Sequence, residues 1–368
     1  MQSGSIYKND INVLGENVKR FEIKRADNPR YACLFIQRYC PRKCTYCGSK
    51  DVVPEEGLLK PQEWIRAFDI LSDMGVKFFL ILGNEVLLYP WIIELIRALK
   101  DFGYFGRYAM YSTFVEPQYQ KLRLPMVEAG LYNISCGIDI MGGTTGDKDI
   151  DTKSIWGLEQ LQWFKNHGVP DVQGTVTIHR QNYKKIPELL RYMTSKEIWA
   201  GLNFVEHKKD EKYDFFSDDL MPSFLFREQD HVDLKRVMHE IADMVKSGEV
   251  MVQNPIEYFE HGVDLAPEML WHCNSGLIID IEADGTLRSC SYSNYMKERI
   301  SVFRLGWKDG RKEILDKIYG GKQLCPGCFW SYAWFAEHYA QKNGLDNILD
   351  AKFQSHYSEY RDPTHVPA

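Results

Sequence analysis

Short apolar runs alternate with longer amphipathic segments between about residues 30 and 207. The apolar runs are typical of strands that are buried on both faces. The amphipathic segments repeat their apolar positions at helical spacing, as Trp64, Phe68 and Leu71 do, and Gly75 suits the end of that helix. This alternation predicts βα units that build a parallel sheet.

The pattern predicts six βα units. The strands are expected at 32–38, 77–82, 107–111, 134–139, 172–179 and 198–207. The helices are expected at 61–74, 91–102, 118–129, 154–167, 185–194 and 228–246. Periodicity does not separate a partial barrel from a doubly wound sheet, but in both folds functional side chains gather at the carboxyl ends of the strands.

Length and charge narrow the class of protein. The chain has 368 residues, of which 44% are hydrophobic, enough for one large domain and a smaller one. The net charge of −6 argues against a nucleic-acid partner, which would favour a basic surface. We find no apolar stretch of about 18 residues and no signal peptide, so we expect a cytoplasmic protein without a membrane partner.

Nine cysteines point to metal or redox chemistry, because disulfide frameworks belong to small secreted chains. Three of them follow the first predicted strand in a C-x3-C-x2-C spacing: Cys40, Cys44 and Cys47. Four more lie near the C-terminus: Cys273, Cys290, Cys325 and Cys328. The other two, Cys33 and Cys136, lie in apolar runs and are predicted to pack in the core.

The C-x3-C-x2-C motif can hold three corners of an iron–sulfur cube and leave one iron open to another ligand. Zinc usually takes four protein ligands, which this spacing does not offer. The motif resembles that of the radical S-adenosylmethionine (SAM) superfamily. The resemblance implies a [4Fe–4S] cluster that binds SAM and cleaves it reductively to a 5′-deoxyadenosyl radical, which then removes a hydrogen atom from the substrate.

The same resemblance implies SAM-binding residues. Tyr46 takes the aromatic position before the third cysteine, near the adenine. Gly83 and Glu85 stand where the family carries Gly-Gly-Glu-Pro, although Asn84 and Val86 replace its second and fourth residues. Glu85 is therefore expected to accept a hydrogen bond from the amino group of SAM.

Later strand ends supply further candidates. Ser112 and Thr113 are expected to contact SAM, and Lys153 is either a partner of the SAM carboxylate or a solvated lysine. Gly137 replaces the serine of the family's Ser-x-Asp motif, whereas Asp139 keeps its place and is expected to face the reaction chamber.

Three residues at the ends of the last two predicted strands are candidates for substrate contact or proton transfer: His179, Glu206 and His207. A single histidine at a strand end is more often structural, so each of these assignments competes with a packing role.

The second cysteine set frames a predicted β-hairpin with an Asp284-Gly285 turn, followed by a helix near 312–319. Four cysteines alone could bind zinc. Beside a radical SAM motif they resemble the Twitch form of the SPASM extension, which implies an auxiliary [4Fe–4S] cluster with four cysteine ligands. Such a closed cluster suits electron transfer rather than substrate binding.

The resemblance implies an α/β fold, namely a partial (β/α)6 TIM-type barrel with a small C-terminal α+β domain of hairpin plus helix. We predict a cap at 1–29, the barrel at 30–250, the Twitch/SPASM-like domain at 251–345 and a tail at 346–368.

We expect a net oxidation of a small polar molecule, such as a sugar or cyclitol, with a flavodoxin or ferredoxin as reducing partner. This preference rests on the closed auxiliary cluster and on an N-terminus too short for a leader-peptide domain. The alternatives are a ribosomal-peptide maturase that epimerises or cross-links residues, and a non-catalytic iron–sulfur or zinc scaffold. A molybdopterin-type cyclase is disfavoured because its second cluster uses three cysteines.

Overall fold

The computed structural model describes residues 7–11, 17–47, 57–114, 119–141, 145–207, 222–273, 275–292 and 294–345. The predicted tail at 346–368 and part of the predicted cap lie outside these ranges. In the described part of the chain, no helix is long and apolar enough to cross a membrane.

The core of the fold is an open sheet of parallel strands that pair in chain order. These strands are β3 (Tyr31–Phe35), β4 (Phe78–Leu82), β5 (Tyr108–Ser112), β6 (Asn133–Gly137), β7 (Asp171–Ile178) and β8 (Trp199–Phe204). A doubly wound sheet would reverse its strand order part-way. The uninterrupted order therefore confirms the partial barrel, in which β8 is one edge of the sheet.

Helices follow the strands as predicted, with some corrected boundaries. They are α1 (Pro61–Asp73), α2 (Ile92–Asp101), α3 (Gln120–Ala129), α4 (Lys148–Asn166), α5 (Ile186–Ser195) and α6 (His231–Lys246). The start predicted for α4 at residue 154 is wrong, because Asp147 caps the helix by accepting hydrogen bonds from the backbone of Asp149 and Ile150. The first turn of α4 is mostly polar, so the spacing of apolar residues did not indicate that the helix begins there.

The first barrel strand is also shorter than predicted. It ends at Phe35 rather than at residue 38. The side chain of Gln37 accepts hydrogen bonds from the backbone N–H groups of Arg38 and Tyr39, at 2.8 and 3.1 Å. This local turn takes the chain out of the sheet and into the loop that carries the first three cysteines.

The C-terminal part shares the barrel's sheet. It contains α7 (Ile256–Leu265), β9 (Ile278–Ile281), β10 (Leu287–Arg288), α8 (Arg311–Gln323) and α9 (Ser331–Asn343). The strands β9 and β10 form the predicted hairpin, but β9 also pairs in parallel with β3. The hairpin thus extends the barrel sheet instead of forming a sheet of its own. The buried strand β9 gains a partner at an otherwise open edge of the sheet.

The N-terminal hairpin, β1 (Tyr7–Ile11) with β2 (Asn17–Phe21), supports the C-terminal part. Within β2, the N–H of Lys19 donates to the carbonyl of Leu270, and Lys19 accepts from the N–H of His272. The N–H of Cys328 donates to the carbonyl of Trp271 between those two residues. Backbone bonds thus connect the chain's beginning to the second cysteine set.

Candidate active site

The first three cysteines lie on a loop, residues 36–47, that leaves the carboxyl end of β3. The start of α4 holds this loop. Asp147 accepts hydrogen bonds from the backbone and the hydroxyl of Thr45, both at 2.6 Å. Asp149 accepts one from the N–H of Lys43 at 2.8 Å. Sequence reasoning missed these two aspartates, although Asp147 has the character of a helix cap.

The thiols of this loop fit a metal cluster. Cys40 and Cys44 are buried, and Cys47 is partly exposed. Burial raises the pKa of Cys40 to about 12 and that of Cys44 higher still, and the nearby Cys47 adds to both shifts. Bound metal would supply the positive charge that such thiols need to ionise. In the described ranges, no three His, Cys, Asp or Glu side chains are arranged as the ligands of a single metal ion. An iron–sulfur cluster does not need that arrangement, because each of its thiolates binds a different iron.

A buried ion pair holds the aromatic residue of the loop. The Nζ of Lys153 lies 2.8 Å from Oδ2 of Asp139 and donates to the hydroxyl of Tyr46 at 2.7 Å. That hydroxyl donates to the same Asp139 oxygen at 2.5 Å. Burial alone would raise the pKa of Asp139, but the charge of Lys153 lowers it below its usual value. These two contacts fix the position of Tyr46, which lies between Cys44 and Cys47 in the sequence.

Glu85, which the sequence predicted as a SAM-binding residue, connects the ends of β4 and β5 by hydrogen bonds. It is fully buried. One carboxylate oxygen accepts from the N–H of Leu87 and the hydroxyl of Ser112, and the other accepts from the N–H and hydroxyl of Thr113, all within 2.6–2.9 Å. A carboxylate offers about four acceptor positions, so these four donors use them. This geometry gives Glu85 a positioning role toward Ser112 and Thr113.

Gly83 is required by close packing. A Cβ atom at this position would lie 2.6 Å from the carbonyl oxygen of Gln37, which belongs to the segment leading into the cysteine loop. The following Asn84 donates a backbone hydrogen bond to that same carbonyl and a side-chain hydrogen bond to the carbonyl of Arg38. Asn84, in place of the family's second glycine, thus ties the end of β4 to the cysteine loop.

His179 presents an unused donor beside Tyr46. Its Nδ1 accepts from the N–H of Gln181 at 3.2 Å, so Nε2 carries the proton. Nε2 is among the described buried side-chain atoms that have no hydrogen-bond partner. Burial lowers the pKa of His179 to about 4, which keeps the ring neutral. The centre of the His179 ring lies 6.2 Å from that of the Tyr46 ring, so a ligand beside Tyr46 could accept a hydrogen bond from Nε2.

A cavity of about 330 Å³ is lined by Cys47 of the first cysteine set and by Tyr292 and Trp330, which lie close in sequence to Cys290 and Cys328 of the second set. Its apolar lining includes Phe35, Leu80, Leu82, Phe204, Val205, Trp330 and Phe335, and its polar lining includes Tyr46, Cys47, Tyr111, Thr175, Thr177, Asn203, Glu206, Gln253, Tyr292 and Tyr332. None of the described lining residues is Lys or Arg, and Glu206 is the one carboxylic acid among them. The volume falls in the usual range for a ligand site.

Glu206 is a buried acid at the wall of this cavity. Burial raises its pKa to about 8, although hydrogen bonds from the N–H of Phe329 and from Tyr292 act in the opposite direction. The N–H of Phe329 lies 2.6 Å from Oε1. The neighbouring His207, which sequence reasoning grouped with Glu206, is not among the described residues that line the cavity, and its N–H contacts the sulfur of Met269.

The second cysteine set surrounds a smaller cavity, which all four of its thiols line. Burial raises the pKa of Cys328 well above its usual value, and Glu206 and the other three cysteines add to the rise. Four thiols that oppose one another's ionisation suit a metal cluster, because bound metal removes their protons. Cys33 and Cys136 are buried within the main hydrophobic core, as predicted.

Residues 34–193 match the model of the radical SAM superfamily. This part of the chain is a radical SAM domain. As in other radical SAM proteins, its cofactors are a [4Fe–4S] cluster and SAM, and the matched residues include the whole C-x3-C-x2-C loop and the Tyr46–Asp139–Lys153 trio.

Several known proteins resemble this chain. GTP 3′,8-cyclase of Lactiplantibacillus plantarum is 23% identical over 310 residues, which cover 80% of this chain and 88% of the cyclase. PqqA peptide cyclase of Granulibacter bethesdensis is 27% identical over 161 residues, covering 41% of this chain and 40% of the cyclase. The structure of SuiB of Streptococcus suis bound to SAM superposes with a TM-score of 0.59 at 15% identity, covering 88% of this chain and 78% of SuiB.

Gly137 explains how this radical SAM chain departs from the Ser-x-Asp pattern. A Cβ at Gly137 would lie 2.8 Å from the Nζ of Lys153, so the lysine occupies the space of the missing side chain. We expect Gly137→Ala to displace the ammonium from Asp139 and Tyr46 and to lower the free energy of unfolding by about 1–3 kcal/mol. Denaturant unfolding measures the change.

The matched control for that substitution is Gly201→Ala. Gly201 lies on β8 and faces the same cavity, but there the nearest atom to an added Cβ is 3.4 Å away. This variant should unfold nearly like the unsubstituted protein. Equal stability of both variants would show that Lys153 does not depend on the glycine.

Proposed function

We propose that this radical SAM enzyme is a peptide maturase that oxidises a side chain of a peptide substrate. The observation that carries this proposal is that most of the surface exposed in the 330 Å³ cavity is apolar, although polar side chains also line it. A sugar or cyclitol needs many hydrogen-bond partners when it is buried. A nucleoside triphosphate needs cationic partners for its phosphates, and the described lining offers no Lys or Arg. An apolar peptide side chain needs neither.

The relatives support the same proposal. One is named a peptide cyclase, and a second structure of SuiB contains its precursor peptide, superposing here with a TM-score of 0.58 at 13% identity and covering 88% of this chain and 76% of SuiB. The peptide alternative therefore replaces the sugar or cyclitol that the sequence favoured. A flavodoxin or ferredoxin remains the proposed reducing partner.

The second cysteine set is proposed to hold an auxiliary [4Fe–4S] cluster, with Cys273, Cys290, Cys325 and Cys328 as its ligands. Held there, a cluster would supply an acceptor for one electron. The protein's own part is to place substrate between the two cysteine sets and to take up a proton. Glu206 is the proposed proton acceptor, since its carboxyl lines the cavity on the side of Cys328. Loss of one electron and one proton by a substrate radical completes a two-electron oxidation.

We expect Glu206→Gln to lower product formation by about 10²–10⁴-fold while SAM cleavage continues. A proton acceptor must be ionised, and the pKa of Glu206 is raised to about 8 by burial. Product formation by the unsubstituted enzyme should therefore increase as the pH rises toward about 8, and the glutamine variant should lose this rise. Product and 5′-deoxyadenosine are quantified in the same reactions.

Glu188→Gln is the control, because Glu188 is an exposed acid on α5. It should leave both the rate and the pH profile unchanged. A Glu206→Gln variant that forms product at the normal rate would exclude Glu206 as the proton acceptor.

The substrate class is tested by hydrogen transfer. The reconstituted enzyme is incubated with SAM and a deuterium-labelled lysate that has been separated into a peptide fraction and a small-molecule fraction. We expect deuterium to appear in 5′-deoxyadenosine, or in SAM if it is regenerated, with the peptide fraction only. Deuterium transfer from the small-molecule fraction alone would contradict the peptide proposal.

A further inference from the structure

A buried lysine faces the second cysteine set. Lys322 lies in the last turn of α8, is only 6% exposed and lines the small cavity together with the four cysteines. Its Nζ donates to the carbonyl of Ile278 at 2.5 Å. A buried ammonium is costly unless negative groups surround it. We therefore expect anionic groups to lie near the ammonium of Lys322 inside this cavity.

Asp280 alone does not meet this need. Its Oδ2 lies 3.8 Å from the Nζ of Lys322, well beyond the usual length of a charge-assisted hydrogen bond. Its Oδ1 accepts from the hydroxyl of Ser291, whereas Oδ2 is buried and makes no hydrogen bond with the described residues. An ammonium has three N–H donors, and one of them goes to Ile278. The remaining donors are available to groups in the cavity.

The fold brings this ammonium in by close packing. The preceding Gly321 lies against Ser289, where an added Cβ would be 2.8 Å from the Cβ of the serine. Glycine thus lets the last turn of α8 approach the end of the hairpin that carries Cys290. The charge of Lys322 consequently acts on both Cys273 and Cys290.

We propose that Lys322 is the counter-cation of the second cysteine set and raises the reduction potential of the cluster held there. This inference rests on the auxiliary cluster of the proposed function. Four thiolates make such a cluster anionic, and each added electron increases its negative charge. A buried positive charge stabilises the reduced form more than the oxidised form. Lys322 thereby favours electron uptake from the substrate, whereas Asp280 opposes it.

The test is a redox titration of the auxiliary cluster, followed by electron paramagnetic resonance. Full-length protein with Cys44→Ala is reconstituted anaerobically, so that the auxiliary cluster gives the signal. In this background, Lys322→Met should shift the potential to a more negative value. In the Lys322→Arg variant the reduction potential should stay close to that of the parent protein. In the Asp280→Asn variant it should shift to a more positive value.

The control is Lys317→Met. Lys317 lies on the same helix but is exposed, where it pairs with Glu298 and Glu313. Its substitution should leave the potential unchanged. A potential that is the same with Lys322→Met as with Lys317→Met would overturn the inference. Shifts of equal sign in the Lys322→Met and Asp280→Asn variants would overturn it too, because they would indicate a general disturbance of the site.

If the Lys322→Met variant does not hold the cluster, the Asp280→Asn variant serves as the test. A cluster potential in that variant that is unchanged or more negative would overturn the inference. The titration needs no substrate, so its outcome is separate from that of the deuterium experiment. Opposite shifts without deuterium transfer from peptides would support the role of Lys322 and contradict the peptide proposal. Zinc instead of iron at this site in the parent protein would overturn the inference directly.

Discussion

Replacing Cys44 by alanine is expected to abolish the formation of 5′-deoxyadenosine. Cys44 is one of only three thiols on the loop, and it is buried beside the Tyr46–Asp139–Lys153 trio. A cluster that loses one of three ligands cannot be held with one iron open for SAM. Chromatography of 5′-deoxyadenosine after anaerobic reconstitution and reduction measures the effect, and Cys40→Ala and Cys47→Ala should behave in the same way.

Cys136→Ala is the matched control for these variants. Cys136 is a buried cysteine on β6 that belongs to the hydrophobic core. Its replacement should lower stability moderately, as small core truncations do, but it should leave SAM cleavage intact. SAM cleavage by a well-folded Cys44→Ala protein would refute the assignment of the loop as the cluster site.

Lys153→Met is expected to lower the free energy of unfolding by about 3–5 kcal/mol, since it leaves the carboxylate of Asp139 buried without its cation. The Asp139 side chain is fully buried and that of Lys153 is 7% exposed, so water cannot replace the lost partner. The same change removes a donor to the hydroxyl of Tyr46. Denaturant unfolding measures the loss of stability.

Two further variants identify the cause of this loss. Lys165→Met removes a partly exposed lysine from the same helix and should change stability by less than about 1 kcal/mol. Adding Asp139→Asn to Lys153→Met removes the unpaired charge and should restore part of the lost stability. A Lys153→Met protein as stable as Lys165→Met would contradict a strongly coupled buried pair.

Much of the barrel could be predicted because its signals are local. Buried parallel strands read as apolar runs, and a strand end is where a parallel barrel places its chemistry. This reasoning placed Tyr46 and Asp139 at one end of the barrel. It did not reveal that Lys153 binds both, because Tyr46 follows β3 whereas Asp139 and Lys153 belong to the unit of β6 and α4. Their contact depends on how the barrel brings these two units together.

The parts that the sequence did not predict depend on long-range contacts. The pairing of β9 with β3 joins residues far apart in the chain, and no local pattern encodes it. The helix α9 was missed because its buried aromatic residues do not follow one clear stripe. The apolar character of the cavity was hidden for the same reason, since its lining combines strand ends of the barrel with residues of α9.

The central proposal is that each of the two cysteine sets of this radical SAM enzyme holds an iron–sulfur cluster. Iron, acid-labile sulfide and zinc per chain, measured after anaerobic reconstitution, test it most directly. We predict about eight irons and about eight sulfides, as two four-iron cubes require, with no zinc. About four irons and one zinc would contradict it, because the second site would then be structural and an oxidation that delivers an electron there would be excluded.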